Sequence, residues 1–228
     1  MAKIVAISDT HRHDLKGILK NYKADILLIA GDLTYSGTLA EMKEFQGYLK
    51  SIRDQFTYIA WINGNHEVEA SKHPRWMFDI AFETNTDYLE NSLTAYIIDG
   101  KPIKIWGSPV TPSFGCGWAY NIKRGNDIKK YWEMIPSDTD VVMTHGMPFG
   151  FCDEVESFLF SNGIEHVGCR DLRKKIYDLK PKVVLGGHLH RDKIRPNWNQ
   201  IFGPVRVLNV SICDDTYKPT NKPVEFSL

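Results

Sequence analysis

The chain has 228 residues and a mass of 26.1 kDa, enough for one sizeable hydrophobic core. Its 28 Lys and Arg balance 28 Asp and Glu, which weighs against a non-specific nucleic-acid binder, because such proteins carry a basic excess. A composition 43% hydrophobic and 25% charged is that of a globular domain rather than a disordered one, and no apolar run approaches the ~20 residues of a membrane span.

Lys3 to Ser8 reads as a first strand, Asp14 to Asn21 as a short helix and Asp25 to Ala30 as the next strand. Thr38 to Arg53 has the helical period, with Leu39, Met42, Phe45, Leu49 and Ile52 three or four residues apart. Thr57 to Ile62 is a third strand, and Trp76 to Phe82 is helical. Asp99-Gly100 is a type I′ turn signature, so Leu93 to Asp99 and Pro102 to Trp106 read as a hairpin. Gly107 to Gly117 is a Gly- and Pro-rich loop of the length that shapes sites. Strands at Asp140 to Met143, Lys182 to Leu185 and Val205 to Val210, with a helix from Arg170 to Leu179, complete an alternating α/β pattern.

No repeat or linker interrupts it, so residues 1–228 read as one domain. The start, Met1-Ala2-Lys3, is too short for a signal peptide. Cys116, Cys152, Cys169 and Cys213 form no C-x-x-C pair and read as reduced thiols of a cytoplasmic protein.

The informative pattern lies just after the strands. Ile4–Ile7 leads into Ser8-Asp9-Thr10-His11, and Ile26–Ala30 into Gly31-Asp32. Tyr58–Ile62 leads into Asn63-Gly64-Asn65-His66-Glu67, Val141–Met143 into Thr144-His145-Gly146, and Val183–Leu185 into Gly186-Gly187-His188-Leu189-His190. Carboxyl ends of strands in α/β sheets face a common crevice, so these clusters are expected to converge. Taken singly, Asp9 fits a helix cap, Gly31-Asp32 a turn and His145 a surface histidine. Their concentration after successive strands favours a metal site.

The clusters offer carboxylates, imidazoles and an amide oxygen, with no thiolate, which suits Mn²⁺, Fe or Zn²⁺. They hold more candidate ligands than the four of a tetrahedral zinc, which points to two metal ions. Two metals ~3.5–4 Å apart can share a carboxylate and activate a bridging water for in-line attack on phosphorus. Gly31, Gly64, Gly146 and Gly187 permit tight turns beside the ligands.

Asp-x-His at Asp9 and His11, Gly31-Asp32, Gly64-Asn65-His66-Glu67, Thr144-His145-Gly146 and Gly187-His188-Leu189-His190, in this order, resemble the calcineurin-like metallophosphoesterase superfamily. A closer resemblance, along nearly the whole chain, is to the small metallophosphodiesterases of the metallophosphoesterase-domain-containing family. It is carried by Gly31-Asp32-Leu33-Thr34, Gly107-Ser108-Pro109-Val110-Thr111-Pro112, Gly117-Trp118, Gly168-Cys169-Arg170 and Pro219-Thr220-Asn221-Lys222-Pro223. The resemblance implies a four-layer αββα sandwich of two mixed β-sheets with a dimetal site between their edges. It assigns Asp9, His11 and His190 to one metal and Asn65, His145 and His188 to the other, with Asp32 bridging. His66 becomes the general acid beside the leaving oxygen, its carboxylate partner left open between Glu67 and an Asp. Val110, Ser113 and Cys116 depart from the pattern of close relatives in the substrate loop.

The reaction implied is attack of a metal-bridging hydroxide on a small phosphodiester, possible substrates including cyclic nucleotides. A phosphomonoesterase is the alternative, and a non-catalytic scaffold of the same fold comes after it. A nuclease is disfavoured, since the neutral chain shows no basic groove; a homodimer stays open, and no membrane partner is expected. No arginine lies within the clusters, Arg12 being the nearest; Trp118, Tyr120 and Trp198 read as packing residues.

Overall fold

The computed structural model describes residues 1–157, 163–191 and 198–228. In chain order it begins with β1 (Lys3–Ile7), α1 (Leu15–Ile18), β2 (Ala24–Ala30), α2 (Leu39–Ile52), β3 (Phe56–Ile62), α3 (Arg75–Thr84) and β4 (Asp87–Tyr88). β5 (Ser92–Ile98), β6 (Lys101–Ser108), β7 (Thr111–Pro112), β8 (Asn121–Ile122), α4 (Asn126–Glu133), β9 (Val141–Thr144), β10 (Glu154–Glu156) and β11 (Ile164–His166) follow. The chain continues through α5 (Arg170–Leu179), β12 (Val183–Gly186), β13 (Asn199–Phe202), β14 (Val205–Asn209) and β15 (Val224–Ser227).

Two mixed sheets dominate, in the orders β15-β1-β2-β3-β4 and β13-β14-β12-β9-β6-β5. The first is parallel except where β15 runs antiparallel to β1; the second has a parallel centre between two antiparallel edges. Strand parity decides which core each side chain enters. On β1, Ile4 and Ala6 face the second sheet, where they meet Ile105, Val141, Met143 and Leu185. Val5 and Ile7 point the other way, into a core with Leu15 from α1, Phe45 and Leu49 from α2, and Met77 from α3. On the far side of the second sheet, Val142, Val184 and Val207 pack against Ile128 and Trp132 of α4 and Leu172 and Ile176 of α5. Helices, sheet, sheet and helices thus form the expected four layers.

The local signals explain the elements. Thr38 caps α2 in a capping box: its Oγ accepts from the Glu41 amide (3.3 Å), and the Glu41 carboxylate accepts from the Thr38 amide (3.0 Å). Asp99 and Gly100 take φ of 51° and 73°, as a type I′ hairpin turn requires. α3 runs to Thr84, beyond the expected Phe82, and stops where Asn85 enters the left-handed region at φ 51°. α1 is shorter than expected. Asp14 caps it, and the chain leaves helix at Leu19, a residue with no exposure to solvent. α4 has only Ile128 and Trp132 buried, a thin periodic signal.

Among the described residues no helix is long and apolar enough to cross a membrane. Cys152, Cys169 and Cys213 are buried thiols, and Cys116 is exposed.

Candidate metal centre

The loops after β1, β2 and β3 of one sheet meet those after β9 and β12 of the other. The main chain stitches them together: Asp9 N–H donates to Gly31 O (2.9 Å), His11 N–H to Asp32 O (3.0 Å) and Gly187 N–H to His145 O (2.9 Å). Several residues here occupy the left-handed region that side chains other than glycine avoid. Asp9, His11, Asp32 and His188 have φ of 53°, 40°, 51° and 68°. Such conformations cost of order 1–3 kcal/mol each and gather where function over-determines the backbone. Glycines make the approach possible. A Cβ at Gly31 would lie 2.7 Å from Asn63 O and 2.7 Å from His145 Nδ1, and one at Gly187 would overlap Ser8 and Asp9.

Asp9, His11, Asp32, Asn65, His66, His145, His188 and His190 all reach this junction. Donor atoms of Asp9, His11 and His190 lie within 4.8 Å of one another, as do those of Asp32, His145 and His188. Geometry alone also groups His66 with His11 and Asp32. Asn65 joins through Oδ1, 3.0 Å from His145 Nε2.

The outer nitrogens set the tautomers. Nδ1 of His11 donates to Thr34 O (3.2 Å), Nδ1 of His145 to Ala30 O (2.8 Å) and Nδ1 of His190 to Asp214 O (2.9 Å). In its neutral form each ring therefore turns an Nε2 lone pair inward. His11 Nε2 and His190 Nε2 are 3.1 Å apart, and His145 Nε2 is 3.2 Å from Asp32 Oδ2. A buried gathering of carboxylate, amide and imidazole acceptors fits a cation.

Glu67 is fully buried, yet it is not the partner of His66. Its Oε1 accepts from the amides of Leu33 and Thr34 and from Thr34 Oγ, each at 2.9 Å, and its Oε2 from Gly64 N–H at 2.6 Å. It ties the Asp32 loop to the Asn65 loop. The ring of His66 is held instead by Tyr35 O, 2.9 Å from Nδ1, and its Nε2 faces Asp32 Oδ2 at 4.0 Å.

Above the centre is a cavity of about 290 Å³, whose walls include His66, Phe114, Trp118, Asp215 and Tyr217. Trp118 is a wall, not a packing residue: it is 38% exposed, with its ring centroid 4.7 Å from that of His66. Tyr120 does pack, its hydroxyl taking Asn63 Nδ2–H at 2.9 Å, and Trp198 is partly buried beneath Arg191. Tyr217, missed in the sequence, holds φ 60° and sets its ring edge-on to His11 and His190, with centroids 4.7 and 4.8 Å away. Arg12 turns away from the cavity and donates to Glu44 at 2.7 Å. Val110 is buried in the core behind the second sheet, and Cys116 lies outside this cavity, on the rim of a neighbouring one.

Residues 2–192 match the family model of the calcineurin-like phosphoesterases. The chain belongs to that family. It is 30% identical to human metallophosphoesterase domain-containing protein 1 over 244 residues, which cover 99% of this chain and 71% of that protein. A UPF0046 protein of Caenorhabditis elegans is 28% identical over 240 residues, covering 98% of this chain and 74% of that one. Among solved structures, phosphopantetheinyl hydrolase from Mycobacterium tuberculosis superposes with a TM-score of 0.64 at 17% identity, over 97% of this chain and 95% of that one. That likeness is one of fold.

The electrostatics of this phosphoesterase follow from burial and from two carboxylates. Burial pushes His11 and His188 down to about 4, so both rings are neutral at physiological pH. Burial also works against the charged form of His145, but the charge and hydrogen bond of Asp32 lift it to about 9. Burial would raise Asp32 too, yet His145, His66 and His11 hold its carboxyl well below the usual range. Glu67 is pushed up to about 7 by burial and by the charge of Asp32.

Proposed function

We propose that this member of the calcineurin-like phosphoesterases hydrolyses small phosphodiesters with a pair of transition-metal ions. In this reading Asp9, His11 and His190 hold one ion, Asn65, His145 and His188 the other, and Asp32 is shared. The observation that carries it is the convergence of His11, His190, His145, Asn65 and Asp32, whose Nε2 and oxygen atoms lie in pairs 3.0–3.2 Å apart in a buried junction. Oxygen and imidazole donors without thiolate suit manganese, iron or zinc. Bound there, the metals would supply Lewis acidity and an activated water.

The chain's own residues supply the rest. His66 is the general acid: with Nδ1–H held on Tyr35 O, its Nε2 faces the cavity, where it gives a proton to the leaving oxygen. Trp118 covers the ring and limits water beside it. His188 N–H donates to both oxygens of Asp9, at 3.0 and 3.2 Å, and holds that carboxylate in place.

Preference for diesters follows from charge. Among the described residues lining the cavity there is no lysine or arginine, and Asp215 adds a carboxylate. A dianionic monoester gains from cationic clamps on its free oxygens, which these walls lack; a monoanionic diester needs them less. The test compares kcat/KM for bis(p-nitrophenyl) phosphate with that for p-nitrophenyl phosphate, then for a cyclic nucleotide with that for its linear monophosphate. Diesters are expected to be the better substrates in both pairs. A tenfold monoester preference in both would establish the phosphatase alternative, and no turnover of either would favour a binding scaffold.

A further inference from the structure

Beside the cavity over the metal centre is a second one, of about 250 Å³. Phe114, His188 and Leu189 line both, so they form the partition between them. The ring of Phe114 leans on that of His188, with centroids 4.6 Å apart. The two cavities therefore adjoin, with this partition between them.

The walls of the second cavity are of different chemistry. Pro112 and Met147 are buried apolar residues, and Val167 is half-buried. Gly146 and Gly168 contribute main chain without side chains to fill the space. The charged lining residue is Arg124, whose Nη1 donates to Gly168 O at 2.6 Å and whose Nη2 donates to Val167 O. Its guanidinium is thus turned to main-chain oxygens. The volume is several times the ~30 Å³ share of a water molecule, room for a group of several carbon atoms. Apolar walls with few polar groups, next to a polar reaction centre, are the usual makeup of a ligand pocket.

We propose that this recess is a subsite for one uncharged hydrocarbon arm, alkyl or aryl, of a phosphoester whose phosphoryl group sits at the metal centre; this rests on the function proposed above. Of the two arms of a diester, one enters the recess and the other lies against Trp118 and Tyr217. Specificity then favours esters carrying one apolar substituent over those whose arms are both strongly polar.

The test is calorimetric titration of the metal-loaded protein with methyl-, butyl- and hexylphosphonate. A buried methylene is worth roughly fourfold in affinity, so butylphosphonate should bind at least about tenfold more tightly than methylphosphonate. Val167→Trp, which fills the recess, and Val167→Asp, which makes it polar, should each flatten that dependence. Equal affinities along the series, no binding of any phosphonate, or a length dependence untouched by a folded Val167 variant would overturn the subsite. Hydrolysis of methyl and butyl p-nitrophenyl phosphate is measured in parallel. Length-dependent affinity without any hydrolysis would retire the hydrolase reading and keep the subsite. Hydrolysis with length-independent affinity would retire the subsite alone.

Discussion

The Nε2 atoms of His11 and His190 face each other at 3.1 Å while Nδ1 of each ring is bound to a main-chain oxygen, of Thr34 and of Asp214. Two lone pairs so placed repel unless a cation lies against them. Purified protein is therefore expected to hold about two transition-metal ions, the number a shared-carboxylate phosphoesterase centre takes. His190→Ala should lower the content by about one ion, and Asp32→Ala, which removes the shared carboxylate, should lose most of both. Metal analysis by mass spectrometry decides this. Full phosphoesterase activity in a verified chelated sample would sink the proposal.

The proposed role of His66 differs from that of the proposed ligands in what its loss should leave intact. His66→Ala should keep the metal content of the unmodified protein and lose turnover on the order of 10²–10⁴-fold. The loss should shrink for nitrophenolate, a leaving group that hardly needs a proton. Metal content falling together with activity would place His66 among the ligands, as its proximity to His11 and Asp32 also allows.

Glu67→Ala would leave the buried amides of Leu33, Thr34 and Gly64 without an acceptor. Unmade buried hydrogen bonds cost ~1–3 kcal/mol each, so a destabilisation of about 3–5 kcal/mol is expected. Urea unfolding measures it. Glu67→Gln should lose less, because its remaining oxygen can still serve Leu33 and Thr34. A Glu67→Ala protein of unchanged stability would show that the tie between the two loops is dispensable.

His145 predicts a pH dependence. Its folded value, about 9, lies above the ordinary 6.5 because Asp32 outweighs burial. In chelated protein the folded state thus binds this proton more tightly than the unfolded state does. The stabilisation is fully present below the ordinary value and is lost as pH rises through about 9. Stability in chelator should fall by on the order of 2–3 kcal/mol between about pH 7 and 9. His145→Gln should remove that slope, and saturating metal, taking the place of the proton, should remove it as well. An unchanged slope in His145→Gln would assign the dependence to another group.

Much of this protein was written in its sequence. Strand parity in Ile4-Val5-Ala6-Ile7 sorted residues to two cores, the Thr38–Glu41 capping box started α2, and Asp99-Gly100 closed the hairpin. The clusters of candidate ligands stood out because each follows its apolar run directly, so strand and donor arrive together. Other features depend on residues distant in sequence. Glu67 stands beside His66 in the chain, but it is the fold of the Gly31–Thr34 loop that gives its carboxylate amides to hold. Trp118 and Tyr217 come to the cavity from loops about a hundred residues apart, and the left-handed backbone at Asp9, His11, Asp32 and His188 leaves no mark in the composition. Periodicity and turn chemistry are local, and the sequence determined what depends on them. Which walls enclose the candidate metal centre, which tautomers its histidines adopt and what recess lies behind Phe114 were decided only when the two sheets packed face to face, because those are contacts between segments that share no local signal.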